Sequence, residues 1–297
     1  VVVSSRTGTT TFGAAGLVLV GLICQDIGAA IAVTLFPQVG ALGMVSLRLA
    51  FSAIVLMVVF RPSLRGRRRS DWVTVTAFGL VLAAMNALFY EAIARIPLGI
   101  TVTIEVLGPL VLSVVASRRA SAWLWAVLAF AGVAILGNGG WGQLDAVGVG
   151  FAVAAGVAWV AYILLSARTG QRFSRLDGLA IAMTIGALVT VPFGAVTAGP
   201  ALLHAHILAI GLAVALLSSA IPYALELLAL RRLPAATFSV LMSLSPALAA
   251  TAGFLILHQA LSLWDLVAIG LVVVASMGAV RAAARRDAVP LPPAATA

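Results

Sequence analysis

The sequence predicts an all-α integral membrane fold, ten transmembrane helices arranged as two inverted five-helix repeats. Three observations carry this. Of the 297 residues, 63% are apolar and only 9% charged, with a mean hydropathy of +1.17. A soluble globular chain carries about 25% charged residues, so there are too few here to clothe a water-facing surface. Second, the apolar residues fall into ten runs, most of them near the ~20 residues that cross a bilayer, which leaves no room for a separate soluble domain. Third, the chain matches itself at an offset of 137 residues. The composition excludes a soluble enzyme, a nucleic-acid-binding module and a disordered chain.

In order, the runs lie at 12–34, 40–60, 72–93, 97–117, 121–137, 145–166, 177–197, 207–229, 234–257 and 262–281, separated by Gly, Pro or Arg clusters. The third and fourth are joined by a very tight turn at Ile96-Pro97, and the fifth is short. One transmembrane domain is expected over 1–281, with repeat one at about 12–137 and repeat two at about 145–281. Residues 282–297, ending Pro290-Leu291-Pro292-Pro293, read as a disordered cytoplasmic tail.

The arginines test this partition. There is no lysine, and sixteen of the 18 arginines fall in loops or tails on one side. Arg95 stands alone on the other side and Arg48 lies inside a span. That asymmetry is the positive-inside signal, and it places both termini in the cytoplasm. A net charge of +9 therefore needs no nucleic-acid partner. Anionic membrane lipid is the secondary partner of these arginines.

The absence of lysine also removes a Walker A loop and any retinal or pyridoxal Schiff base. Cys24 has no disulfide mate, and His204, His206 and His258 fall in polar breaks without a metal-ligand spacing. No cofactor or metal is implied.

At the offset of 137, Arg95-Ile96-Pro97 falls on Arg232-Leu233-Pro234, Gly108-Pro109 on Ser245-Pro246, and Ala41-Leu42 on Gly178-Leu179. Each half holds five spans, an odd number, so the second copy enters from the opposite side. Inverted repeats with a substrate site at their interface are a secondary-transporter signature.

Five ionisable residues fall inside spans: Asp26, Arg48, Glu91, Glu105 and Glu226. A charge at the bilayer centre costs about 2.5–3.5 kcal/mol or more, so these should face the bundle interior or a wet cavity. Asp26, Arg48 and Glu105 are each eight residues from the outer end of their spans. At about 1.5 Å per residue they share a layer roughly 12 Å below the outer surface. Glu91 lies nearer the outer mouth and Glu226 nearer the cytoplasmic end. Pro109 and Pro246 are expected to break their helices and free the carbonyls of Glu105 and Met242. Glu105 would then offer an ammonium group both a carboxylate and a backbone acceptor.

Two readings of this layer stand side by side. In one, Glu105, with Asp26, takes the amino group of a zwitterion and Arg48 takes its carboxylate. In the other, Arg48 pairs with Asp26 or Glu105 only to hold helices together. Asn86, Tyr90, Trp159 and Tyr162, at helical spacing, either line a pathway or pack in the core. Ala152-x-x-x-Gly156 reads as a small-residue helix seam.

Several stretches resemble the threonine and homoserine exporter branch of the drug/metabolite transporter superfamily, of EamA type. In the first half these are Leu47-Arg48-Leu49-Ala50, Leu88-Phe89-Tyr90, Ile96-Pro97-Leu98-Gly99-Ile100, Ile104-Glu105 and Gly108-Pro109-Leu110. In the second they are Ile221-Pro222-Tyr223, Leu225-Glu226, Thr237-Phe238, Leu241-Met242-Ser243 and Pro246-Ala247-Leu248. The resemblance implies an exporter of amino acids or related metabolites in a bacterial inner membrane, driven by protons or exchange. It matches Arg48, Glu105 and Glu226 to charged positions of the branch. Ser245 stands where the branch usually has a glutamate, and Asp26 and Glu91 are charged where it is commonly not.

The expected function is thus secondary active export of a small zwitterionic metabolite by alternating access. Substrate-binding candidates are Arg48, Glu105, Asp26, Asn86, Tyr90 and Tyr162; proton carriers are Glu105, Asp26 or Glu226. The alternative within the class is export of other small molecules such as nucleobases or toxic amphiphiles. An intramembrane enzyme lacks its histidine, and a non-transporting scaffold would keep all five charges paired without a cavity.

Overall fold

The computed structural model describes residues 6–117, 120–136, 144–174, 176–222, 225, 229 and 241–287. Among them the architecture is all-helical, without a strand. The helices are α1 (Arg6–Thr34), α2 (Phe36–Phe60), α3 (Arg69–Ile93), α4 (Leu98–Glu105), α5 (Leu107–Ser117), α6 (Ala120–Leu136), α7 (Ala146–Arg172), α8 (Asp177–Ala198), α9 (Ala205–Ala215), α10 (Ser245–Leu257) and α11 (Leu263–Asp287). A 3₁₀ turn, Gly199–Leu203, follows α8, and a π-helical turn, Leu216–Ala220, continues α9.

Five segments are long and apolar enough to cross a membrane: Ala15–Thr34, α2, α3, α7, and Asp177–Leu203. Five shorter apolar helices accompany them. Their outward faces are hydrocarbon: Val196 is 86% exposed and Leu188 71%. In water such faces would drive association; in lipid they are the matched solvent.

Breaks in the helices fall where the sequence places glycine and proline. Gly40 takes φ +69°, open to glycine because it has no Cβ. It kinks α2, so that a short helical piece from Phe36, with Pro37 in its first turn, precedes the long stretch that runs on from the predicted start at 40. The predicted span 97–117 is two half-helices parted at Val106, with Pro109 in the first turn of the second. Pro246 likewise sits in the first turn of α10, after a turn at Ser243-Leu244. Its missing N–H is one that a helix start leaves unbonded anyway. At the C-terminal end α11 continues past Arg281 to Asp287; residues 288–297 lie outside the described residues.

Packing pairs α2 with α8, α3 with α7 and α8, α6 with α11, α4 with α10, and α1 with α10 and the π turn. Lipid supplies no hydrophobic drive between apolar helices, so close van der Waals approach at small residues does the work. A Cβ on Gly79 would come 2.7 Å from the Ala182 carbonyl oxygen, and one on Gly99 2.6 Å from Ala250 Cα. The polar ends carry separate ion pairs. At one end Arg67 faces Asp177 (3.7 Å) and lies over the Phe173 ring, while Arg172 faces Asp71 (3.3 Å). At the other, Arg95 pairs with Glu91 and with Asp145 (3.7 Å). Glu91 is therefore engaged at a helix end by Arg95.

Candidate functional site

Between the helices lies a cavity of about 150 Å³. Its walls are Gln25, Asp26 and Ala29 of α1, Arg48 of α2, Met85, Asn86 and Phe89 of α3, and Val102 and Glu105 of α4. Trp159 and Tyr162 of α7, Met242, and Ser245 of α10 complete them. Five of the six predicted substrate-binding residues, Asp26, Arg48, Asn86, Glu105 and Tyr162, thus line one hollow. Glu226 lies outside the described residues.

Arg48 is 8% exposed and held from two sides. Its Nη2 donates to the Ser218 carbonyl at 3.0 Å, and its guanidinium lies 5.5 Å from the centre of the Tyr90 ring, with Nη1 3.4 Å from Tyr90 Oη. Its Nε has no hydrogen-bond partner. The Ser218 acceptor has a local cause. A helical carbonyl receives the N–H four residues on, and four residues after Ser218 stands Pro222, which has none. The π turn at Leu216–Ala220 accompanies that missing bond, and the carbonyl takes a donor from α2 instead. The sequence held this signal: the reasoning that flags Pro109 and Pro246 applies equally to Pro222.

Tyr90, the sixth candidate, is fully buried and is not among the lining residues. It stands behind Arg48, in ring contact with Phe36 and Phe89 (centroids 5.8 and 5.9 Å apart). Tyr90 is a positioning residue for the guanidinium. Because its ring is the main contact and the 3.4 Å Oη contact is weak, Tyr90→Phe should leave substrate affinity within about threefold of the original. Tyr90→Leu should lower it roughly tenfold, the scale of a cation–π contact. Equal effects in competition binding would contradict this role.

Glu105 ends α4 and is 9% exposed; Asp26 is 4% exposed, and its Oδ2 has no partner. Among the described residues no ion pair at 4.0 Å or less joins Arg48 to either carboxyl. The helix-holding pair considered from the sequence is thus not formed with Asp26 or Glu105. The Glu105 backbone lies against α7. Its carbonyl oxygen abuts Gly156, where a Cβ would come within 2.8 Å. Asn86 fixes its amide by donating Nδ2 to the Leu82 carbonyl at 2.8 Å. Tyr162 rests against Phe78, with centroids 5.3 Å apart.

This arrangement puts one guanidinium and two carboxyls in a small hollow with aromatic and aliphatic walls, the chemistry for a small molecule bearing both signs of charge. Comparison with known proteins gives it a family. Residues 146–281 match the EamA-like transporter family. Over 264 residues the chain is 41% identical to "Threonine/homoserine exporter RhtA" of Escherichia coli (strain K12), covering 88% of this chain and 89% of that protein. The protein of the same name from Salmonella typhimurium (strain SL1344) is 41% identical over 267 residues, with the same coverage. The chain belongs to the threonine/homoserine exporter branch of the EamA-like transporters. It is a multi-pass membrane protein, and its relatives are named as exporters rather than enzymes. A solved crystal structure 18% identical in sequence superposes with a TM-score of 0.63 over 93% of this chain and 99% of that one, a likeness of fold.

Membership of this EamA branch does not by itself locate the cavity. Gln25, Met85, Phe89, Met242 and Ser245 line it without having been singled out as binding residues. Phe89 had a signal in the same Leu88-Phe89-Tyr90 stretch that drew attention to Tyr90. Met85 is indistinguishable in sequence from any buried aliphatic residue.

Proposed function

We propose that the chain is a secondary active exporter of small amino acids or close zwitterionic relatives, of the threonine or homoserine kind, across the bacterial inner membrane. The observation that carries this is the meeting of Arg48, Glu105 and Asp26 in one cavity without an ion pair among them. A guanidinium held by Ser218 and Tyr90, and without an ion pair among the described residues, offers a substrate carboxylate a directed, charge-assisted contact. Glu105 receives the ammonium, and Asn86 and Tyr162 frame the side chain. The relatives' name, threonine/homoserine exporter, supports the same substrate class.

Alternating access of two inverted five-span halves is the mechanism proposed, and the packing partners support it. With five spans per half, an axis relating the halves exchanges each span with the one five places on. The structure packs α2 on α8, α4 on α10 and α6 on α11, each helix against its mate. It also packs α3 on α7, and α1 on the α9 and π-turn segment; these two contacts are each other's images. Both termini then face the cytoplasm, as the arginine distribution requires. Coupling is to protons or to exchange: a carboxyl that binds the ammonium in one orientation takes a proton in the other, with Glu105, Asp26 or Glu226 as carrier.

The test is counter-flow of radiolabelled threonine and homoserine in proteoliposomes. Glu105→Gln should reduce it by about 100-fold while leaving insertion and monodispersity intact, because a charge-assisted contact becomes a neutral one in a low-dielectric site. Undiminished flux would remove Glu105 from the site, and absence of flux for both amino acids in the unmodified protein would sink the reading.

A further inference from the structure

A zwitterion has one ammonium, and this cavity has two carboxyls. With Glu105 on the α-ammonium and Arg48 on the carboxylate, Asp26 is left unmatched. It is not a surface acid that happens to face inward. Asp26 lies on α1, is 4% exposed, lines the cavity and has an Oδ2 without a hydrogen-bond partner among the described residues. A buried carboxyl in that state must be matched by a proton or by a cation. We propose that the cavity also accepts short diamino monocarboxylic acids, with Asp26 holding the side-chain ammonium. This rests on the cavity being the substrate site.

Homoserine and 2,4-diaminobutyrate make the comparison clean. They share the backbone and the chain length, and differ in a terminal hydroxyl against a terminal ammonium. The hollow is about 150 Å³, so whatever accepts one has room for the other. Arg48 lines the same cavity and takes the carboxylate common to both. With homoserine bound, a proton satisfies Asp26; with the diamino acid, the ammonium takes that proton's place, and the proton leaves to solvent. No bond to carbon is made or broken.

The experiment is competition in proteoliposomes holding the full chain. Counter-flow of radiolabelled homoserine is measured against external unlabelled homoserine or 2,4-diaminobutyrate. In the unmodified protein the two half-inhibitory concentrations should agree within about threefold. In Asp26→Asn their ratio should shift against the diamino acid by at least about tenfold, the loss of one charge-assisted contact, and Asp26→Glu should recover part of it. A diamino acid more than about tenfold weaker than homoserine in the unmodified protein, or a ratio unmoved in Asp26→Asn, overturns the proposal. If homoserine shows no counter-flow in the unmodified protein, the zwitterion-export reading has failed on its own; if only Asp26→Asn loses it, Asp26 is also the proton carrier. The diamino claim is then decided by whether 2,4-diaminobutyrate raises the melting temperature of the purified protein and Asp26→Asn removes the rise. No rise, or one that survives in Asp26→Asn, overturns it.

Discussion

Arg48→Met is expected to lower substrate counter-flow by about 100-fold or more, the largest single loss at the site. Methionine keeps much of the volume of the side chain and removes every donor. A hydrogen bond to a charged group contributes about 1.5–3 kcal/mol, and a guanidinium makes two in parallel to a carboxylate. Arg48 also carries the contact with the Ser218 carbonyl at 3.0 Å, which joins α2 to the π turn after α9. Removing it leaves an acceptor without its donor at the cavity edge. Arg48→Lys should recover little. An ammonium is a point charge without the planar fork, so it cannot hold Ser218, lie on the Tyr90 ring and present paired donors at once. Counter-flow with gel filtration as the folding control separates the site from the scaffold. Substantial flux in Arg48→Met would show that substrate carboxylates are not bound there.

Much of this site is legible in the sequence because the membrane makes buried charge expensive. Depth counted along three spans put Asp26, Arg48 and Glu105 in one layer, and the structure lines one cavity with all three. What depth cannot give is rotation about each helix axis. Asn86 and Tyr90 are four residues apart on α3, one on the cavity wall and one behind Arg48. Glu91, next along the chain, turns away to Arg95. Nor does depth show which helix crosses at a given carbonyl, as α7 does where Gly156 abuts the Glu105 carbonyl. Helix existence followed from apolar run length, and the breaks at Gly40 and ahead of Pro109 from residue type, whereas the short helical piece from Phe36 and the extension of α11 to Asp287 did not. The π turn at Leu216–Ala220 is the part most hidden, even though Pro222 marks it once the Ser218 carbonyl is asked for a partner.

The scaffold's most sensitive point is expected at Gly108. A Cβ there would lie 2.1 Å from the Gly156 carbonyl oxygen and 2.6 Å from its carbon. Both obstacles are backbone, so no rotamer change relieves them, and α5 or α7 must move as a body. Overpacking of this kind costs typically 1–3 kcal/mol and more when backbone is involved. Gly108→Val should therefore lower the melting temperature of the detergent-purified protein by roughly 10 °C, with Gly108→Ala intermediate. Gly150→Ala, on α7 like Gly156 but with nothing within 4 Å of its new Cβ, is the control and should be neutral or slightly stabilising. The effect should reach function as well. Gly156 abuts the Glu105 carbonyl, and Trp159 and Tyr162 follow it on α7 into the cavity wall. Displacing α7 moves one wall against the carboxylate on the other, so substrate affinity in Gly108→Ala should fall even below its melting temperature. If Gly108→Ala melts with Gly150→Ala and binds substrate unchanged, the α5–α7 crossing is looser than described and does not set the geometry of Glu105.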